Sequence, residues 1–152
     1  ALLRNRAGAL SISSRIDAVW PSTVAAADLD GDRRPDLFDL SDSLGVYRGA
    51  GDGTFLPRTR YPLPRPDSLS VVTADFDEDG RLDVVVASFA NSLFLNQGGG
   101  VLGPRLELPG HTWMDFSSGA PAAVPGDFDF DGDLDLAIIE SQSVQLLLNR
   151  CR

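Results

Sequence analysis

A nine-residue pattern with Asp at positions 1, 3, 5 and 9 occurs three times in this chain. The copies are Asp28 to Asp36 (D-L-D-G-D-R-R-P-D), Asp75 to Asp83 (D-F-D-E-D-G-R-L-D) and Asp127 to Asp135 (D-F-D-F-D-G-D-L-D). Alternate carboxylates on a tightly curled loop turn toward one point. Left alone there they repel, by about 4 kcal/mol per close pair at an effective dielectric near 20. A hard divalent cation removes that conflict, and Ca2+ accepts six to eight oxygens from carboxylates, backbone carbonyls and water. A lone D-x-D-x-D is often only a solvated acidic turn. Three copies with the same fourth Asp and the same strand-like flanks predict about three Ca2+ ions per chain instead.

Position 7 of each loop is expected to give its backbone carbonyl, which turns the side chains of Arg34, Arg81 and Asp133 outward. The first copy has Arg33 at position 6, where the others have Gly80 and Gly132, and its own glycine, Gly31, stands at position 4. A sharp turn at position 6 favours glycine, so the first loop is expected to bind more weakly. An EF-hand opens in nearly the same way but needs a bidentate acid at position 12 and flanking helices. Position 12 is Asp39, Val86 and Ile138 in the three copies, and flanks such as Val84-Val85-Val86 are β-branched strand formers. The EF-hand is excluded.

The 152 residues suffice for one domain with a real core, and 43% apolar residues mark it as globular. No apolar run approaches the ~20 residues of a membrane-spanning helix, so no membrane insertion is expected. No signal peptide is visible, and a start at Ala1 without Met is read as a processed form or a fragment. Fourteen of the 22 acids lie within the three loops, so the net charge of −9 is mostly a metal site. Three bound Ca2+ would bring it near −3. Cys151 is the only cysteine, which rules out an internal disulfide and points to an incidental thiol.

A repeat of four short strands organises the chain. An apolar strand enters each acidic loop (Thr23 to Ala27; Ser70 to Ala74; Ala122 to Val124), and a second returns from it (Leu37 to Leu40; Leu82 to Ser88; Leu134 to Glu140). A third follows a polar turn (Leu44 to Arg48; Ser92 to Asn96; Ser143 to Asn149), and a Gly-rich turn gives a fourth (Thr54 to Tyr61; Val101 to Leu108). Such punctuation means antiparallel β. Residues 1–17 resemble the second half of a unit, with a turn at Ala7-Gly8 and a strand from Ala9 to Ile16. The domain is thus a partial one, residues 1–152, divided into a leading part (1–17) and repeats at 18–63, 64–109 and 110–152. The loops recur after 47 and then 52 residues, in the range of propeller blades.

D-x-D-x-D-G-x-L-D after an apolar strand, followed by L-F-L-N or L-L-L-N and a Gly turn, resembles the FG-GAP (VCBS-type) repeat. That repeat builds the β-propeller of integrin α subunits and of many secreted bacterial proteins. The resemblance covers about Thr23 to Asn149. It implies an all-β chain of four-stranded antiparallel β-propeller blades, about three of them. It also implies calcium ligands Asp28, Asp30, Asp32 and Asp36; Asp75, Asp77, Asp79 and Asp83; and Asp127, Asp129, Asp131 and Asp135. Propellers have four to eight blades, so three blades make an incomplete ring or one closed by assembly. The strand Ala9 to Ile16 is expected to supply the fourth strand that the last unit lacks, and open edges favour head-to-tail self-association.

The links between blades, Asp17 to Ser22, Pro62 to Ser68 and Pro109 to Pro121, carry the remaining candidates. Trp20, His111 and Trp113 are read as ligand-binding positions for a protein or a glycan; the other reading has Trp113, Met114 and Phe116 plugging a gap between blades. No Ser-His-Asp order stands out and one His makes no zinc cluster, so an enzyme is not expected. The scattered Arg residues lack interleaved aromatics, so nucleic acid is not an expected partner. The sequence reading is a secreted, extracellular or periplasmic, calcium-stabilised binding or adhesion module. Its alternatives are a non-catalytic substrate-binding part of a polysaccharide-active enzyme and a self-assembling propeller fragment.

Overall fold

Three antiparallel sheets stand side by side as propeller blades, preceded by a two-stranded hairpin, in the computed structural model of the chain. It describes residues 2–16, 23–64, 70–88, 90–110, 122–140 and 143–150; Trp20, His111, Trp113, Met114, Phe116 and Cys151 lie outside these. The hairpin pairs β1 (Leu2–Arg6) with β2 (Ala9–Ser14). The first blade runs β3 (Thr23–Ala27), β4 (Asp36–Leu40), β5 (Ser43–Tyr47), β6 (Thr59–Pro62). The second runs β7 (Ser70–Ala74), β8 (Asp83–Ala87), β9 (Ser92–Phe94), β10 (Leu106–Glu107), and the third β11 (Ala123–Gly126), β12 (Asp135–Glu140), β13 (Ser143–Leu147). Among the described residues no helix is long and apolar enough to cross a membrane.

Two expectations are corrected. The fourth strands are shorter than the apolar pattern implied, because Pro57 and Pro104 interrupt the ladder and leave only the isolated bridges Gly49–Phe55 and Asn96–Leu102 before them. And β2 does not complete the third blade. It pairs with β1 through a two-residue turn in which Ala7 and Gly8 both have positive φ, the turn whose twist matches a tight hairpin.

Period-two alternation decides which blade each residue meets. On β8, Val84 and Val86 turn toward the first blade, where they join Phe38, Leu40, Leu44 and Val46 with Phe94 and Leu102. Val85 and Ala87 turn the other way and pack with Ala123, Leu136 and Ile138 of the third blade. The unbroken run D-V-V-V-A is therefore buried along its whole length. Tyr61 of the first blade adds an edge-to-face contact with Phe94 of the second, and its hydroxyl accepts from the Leu102 N–H at 3.2 Å. β7 lies beside both β3 and β11, so the leading strands of the blades line up along one side.

Candidate metal centre

Each nine-residue motif forms the loop between the first and second strands of its blade. The three loops share one backbone path. Position 4 and position 6 are both left-handed in every copy: Gly31 and Arg33 at φ +77° and +67°, Glu78 and Gly80 at +58° and +83°, Phe130 and Gly132 at +61° and +101°. The sequence reading assigned the demanding turn to position 6 alone. In fact the loop needs two left-handed residues, and each copy supplies glycine at one and tolerates a side chain at the other.

Backbone N–H groups fix the carboxylates. Position 1 accepts from the position 6 N–H, at 2.8 Å for Asp28, 2.9 Å for Asp75 and 3.2 Å for Asp127. Position 5 accepts from the position 7 N–H, at 2.8, 2.9 and 3.1 Å for Asp32, Asp79 and Asp131. Position 9 is buried in all three copies (Asp36, Asp83, Asp135). One of its oxygens accepts from position 2 (Leu29, Phe76, Phe128) and the other from the residue leaving the third strand (Gly49, Asn96, Asn149), all within 2.8–3.0 Å.

Carboxylate oxygens of Asp75, Asp77 and Asp83, and of Asp127, Asp129 and Asp135, lie within 4.8 Å of one another; in the first loop Asp28, Asp30 and Asp32 do so, without Asp36. Asp79 and Asp131 stand outside these tightest groups. The Oδ1 atoms of Asp77 and Asp127 are buried without a hydrogen-bond partner among the described residues. Burial raises the carboxyls of Asp36 and Asp83 above the ordinary range, against the pull of their two backbone donors. Asp129 is raised by desolvation and then by Asp131 and Asp135. Glu78 is raised by its hydrogen bond with Asp133 of the neighbouring loop and by that residue's charge. Hard oxygens and crowded negative charge, carried on left-handed turns, form a donor set that could hold a hard divalent cation.

The position 7 arginines are exposed on their loops, each beside the position 5 carboxylate. Arg34 reaches back to Asp32, and Arg81 pairs with Asp79 while its Nε donates to the Asn96 carbonyl at 2.9 Å. The first loop also has an arginine from outside the motif. Arg48 sits 2.6 Å from Asp30 Oδ2 and donates as well to the Gly99 carbonyl of the second blade. Sequence reasoning missed Arg48. It also missed a role for the residues that follow the third strands, although their spacing carried the signal: Gly49, Asn96 and Asn149 follow the position 9 Asp by 13, 13 and 14 residues.

A family model for the FG-GAP-like repeat matches residues 39–86. No curated protein sequence matches the chain. Among solved structures, a lectin of Agrocybe aegerita that specifically recognises non-reducing terminal N-acetylglucosamine superposes with a TM-score of 0.59 at 22% identity, over 83% of this chain and 34% of the lectin. The Photorhabdus luminescens Tc holotoxin pore superposes with a TM-score of 0.57 at 20% identity, over 90% of this chain and 7% of that one. The chain thus spans about a third of the lectin and a small part of the toxin, and at these identities the likeness shows the fold.

Proposed function

We propose that this FG-GAP-like repeat protein is a calcium-stabilised, non-catalytic binding module that works outside the cytosol. The observation that carries the reading is the threefold recurrence of one loop geometry, with three carboxylates converging in each copy and buried, unpartnered oxygens on Asp77 and Asp127. In the second and third loops the position 1, 3 and 9 carboxylates (Asp75, Asp77, Asp83; Asp127, Asp129, Asp135) hold the ion. Asp79 and Asp131, outside these tightest groups, are assigned to join through water, and the carbonyls of Arg81 and Asp133 to complete the shell. In the first loop Asp28, Asp30 and Asp32 take that part, with Asp36 behind them and the Arg34 carbonyl as the further donor. The ion neutralises the loop and ties the first two strands of each blade together. Extracellular modules bind Ca2+ at about 10⁻⁴–10⁻³ M, which suits loops this exposed.

The ligand class we favour is carbohydrate, on the likeness to a lectin. Trp20, His111 and Trp113 in the interblade links are the residues proposed to meet it. Calorimetric titration with Ca2+ and then with an oligosaccharide ending in N-acetylglucosamine tests both parts. Absence of Ca2+ binding overturns the metal reading. Glycan binding that survives both Trp113→Ala and His111→Ala overturns the assignment of those residues, and absence of glycan binding overturns the carbohydrate reading.

A further inference from the structure

The hydrogen bonds of the loops join into a relay that crosses the blades. Leu29 gives its N–H to Asp36, and its carbonyl accepts the side-chain amide of Asn96 from the next blade at 2.7 Å. Asn96 gives its own N–H to Asp83, whose other oxygen holds the N–H of Phe76. The Phe76 carbonyl accepts the amide of Asn149 from the third blade, again at 2.7 Å, and Asn149 gives its N–H to Asp135. Asp135 holds the N–H of Phe128. There the pattern stops: among the described residues no asparagine amide reaches the Phe128 carbonyl.

The same end of the molecule presents an apolar sheet face. Val124, Ile139, Val144, Leu146 and Leu148 occupy alternate positions of β11, β12 and the β13 segment, and are 57%, 45%, 63%, 52% and 42% exposed. The corresponding face of the second blade (Val72, Val85, Ala87, Leu93) packs in the core against the third, and that of the first (Phe38, Leu40, Leu44, Val46) against the second. So the third blade repeats a docking surface that the chain has already used twice, down to the waiting carbonyl.

We infer that this face binds a second copy of the chain, through the leading hairpin. Register supports the match. Asn5 pairs with Leu10 across β1 and β2 as Asn96 bridges to Leu102. That places Leu3, Asn5 and Leu10 at the repeat positions of Phe94, Asn96 and Leu102, the residues of the second blade that dock onto the first. The contact is head-to-tail, so it builds a ring where the rotation closes and an open chain where it does not.

Light scattering over a concentration series, with Ca2+ present, tests the inference. The expected mass rises well above the 16.2 kDa of one chain. Leu146→Arg, at an exposed position, returns it to a single chain with an unchanged circular dichroism spectrum, and Val144→Arg serves if that variant misfolds. Asn5→Ala weakens association about tenfold, the effect of one interfacial hydrogen bond. A wild-type mass of one chain throughout, or association indifferent to both arginine substitutions, overturns the proposal.

Discussion

Asn96 reaches back 67 residues to hold the carbonyl of Leu29 at 2.7 Å, joining the second blade to the acidic loop of the first. The same amide also donates to Leu82 at 3.0 Å, and the side chain is fully buried. Truncation therefore strands the buried Leu29 carbonyl and the part-buried Leu82 carbonyl, each costing up to about 1–3 kcal/mol if left unpaired. Asn96→Ala is expected to cost about 2–4 kcal/mol in urea unfolding with an unchanged slope. Asn149→Ala, which frees the Phe76 carbonyl at a more open site, is expected to cost about 1–2 kcal/mol. Equal and negligible losses for the two would mean that apolar contact alone joins the blades.

Arg48 competes with the ion that the first loop is proposed to bind. Its guanidinium lies 2.6 Å from Asp30 Oδ2, while the matching residues of the later blades are Leu95 and Leu148. A fixed cation on the position 3 carboxylate lowers affinity for a mobile one. Replacing Arg48 by Leu is expected to tighten Ca2+ binding at the first loop by about tenfold, the equivalent of 1.4 kcal/mol. Calorimetric stoichiometry checks it: a third ion should appear, or bind more strongly, in the variant and not in wild type.

Stability in chelator should depend on pH in an unusual direction. Glu78, Asp83, Asp36 and Asp129 all have carboxyls raised above their ordinary values. The folded state holds these protons more tightly than the unfolded chain. Their contribution is full below the ordinary carboxylate range, at about pH 4, and is lost as pH rises through the raised values. Calcium-free protein is thus expected to melt at lower temperature as pH climbs from that range toward neutrality, and saturating Ca2+ to flatten the slope. A melting temperature that rises over this window in chelator would contradict the assignment.

The blade pattern was legible because it is local. Three copies of one Asp spacing, flanked by β-branched runs such as Val84 to Val86, fix where the chain turns and which strands pair. The later relationships were not legible for two reasons. The amide of Asn96 meets a carbonyl far away in sequence, and its L-F-L-N motif gives no hint of that partner. Arg48 looks like any polar residue at a strand end until the fold brings Asp30 beside it. The fourth strands were overread because apolar residues such as Leu56 suggest a strand that Pro57 does not permit.

Unequal use of glycine in the loops gives a stability test. A side chain in the left-handed region costs roughly 1–2 kcal/mol, partly offset by the greater freedom of glycine in the unfolded chain. Arg33→Gly is expected to stabilise by about 0.5–1 kcal/mol, since Arg33 holds φ +67° on an exposed loop. Gly132→Ala, at φ +101° with open space around it, should destabilise by about 1–2 kcal/mol through backbone strain alone. Chemical denaturation of both variants in chelator separates this effect from metal binding. Loss of stability in Arg33→Gly would show that its side chain, rather than its backbone, matters to the loop.

Asp39 and Arg58 form a charge pair on the face of the first blade turned away from the second. Two guanidinium nitrogens meet the two carboxylate oxygens at 2.8 and 3.1 Å, and the same group donates to the Ser41 hydroxyl and the Ser43 carbonyl. Asp39 is nearly inaccessible, so removing its partner leaves a buried charge. Gly45 makes room for the pair: a Cβ there would fall 1.8 Å from Asp39 Oδ1 and 2.1 Å from Arg58 Nε. Arg58→Met is expected to cost about 2–4 kcal/mol, somewhat below the range for a fully buried pair because Arg58 keeps some exposure. The double variant Asp39→Leu, Arg58→Met should recover most of that loss, since an apolar pair of similar volume leaves no charge uncompensated. Urea midpoints for the two singles and the double close the cycle, and additive losses would show that the residues act independently.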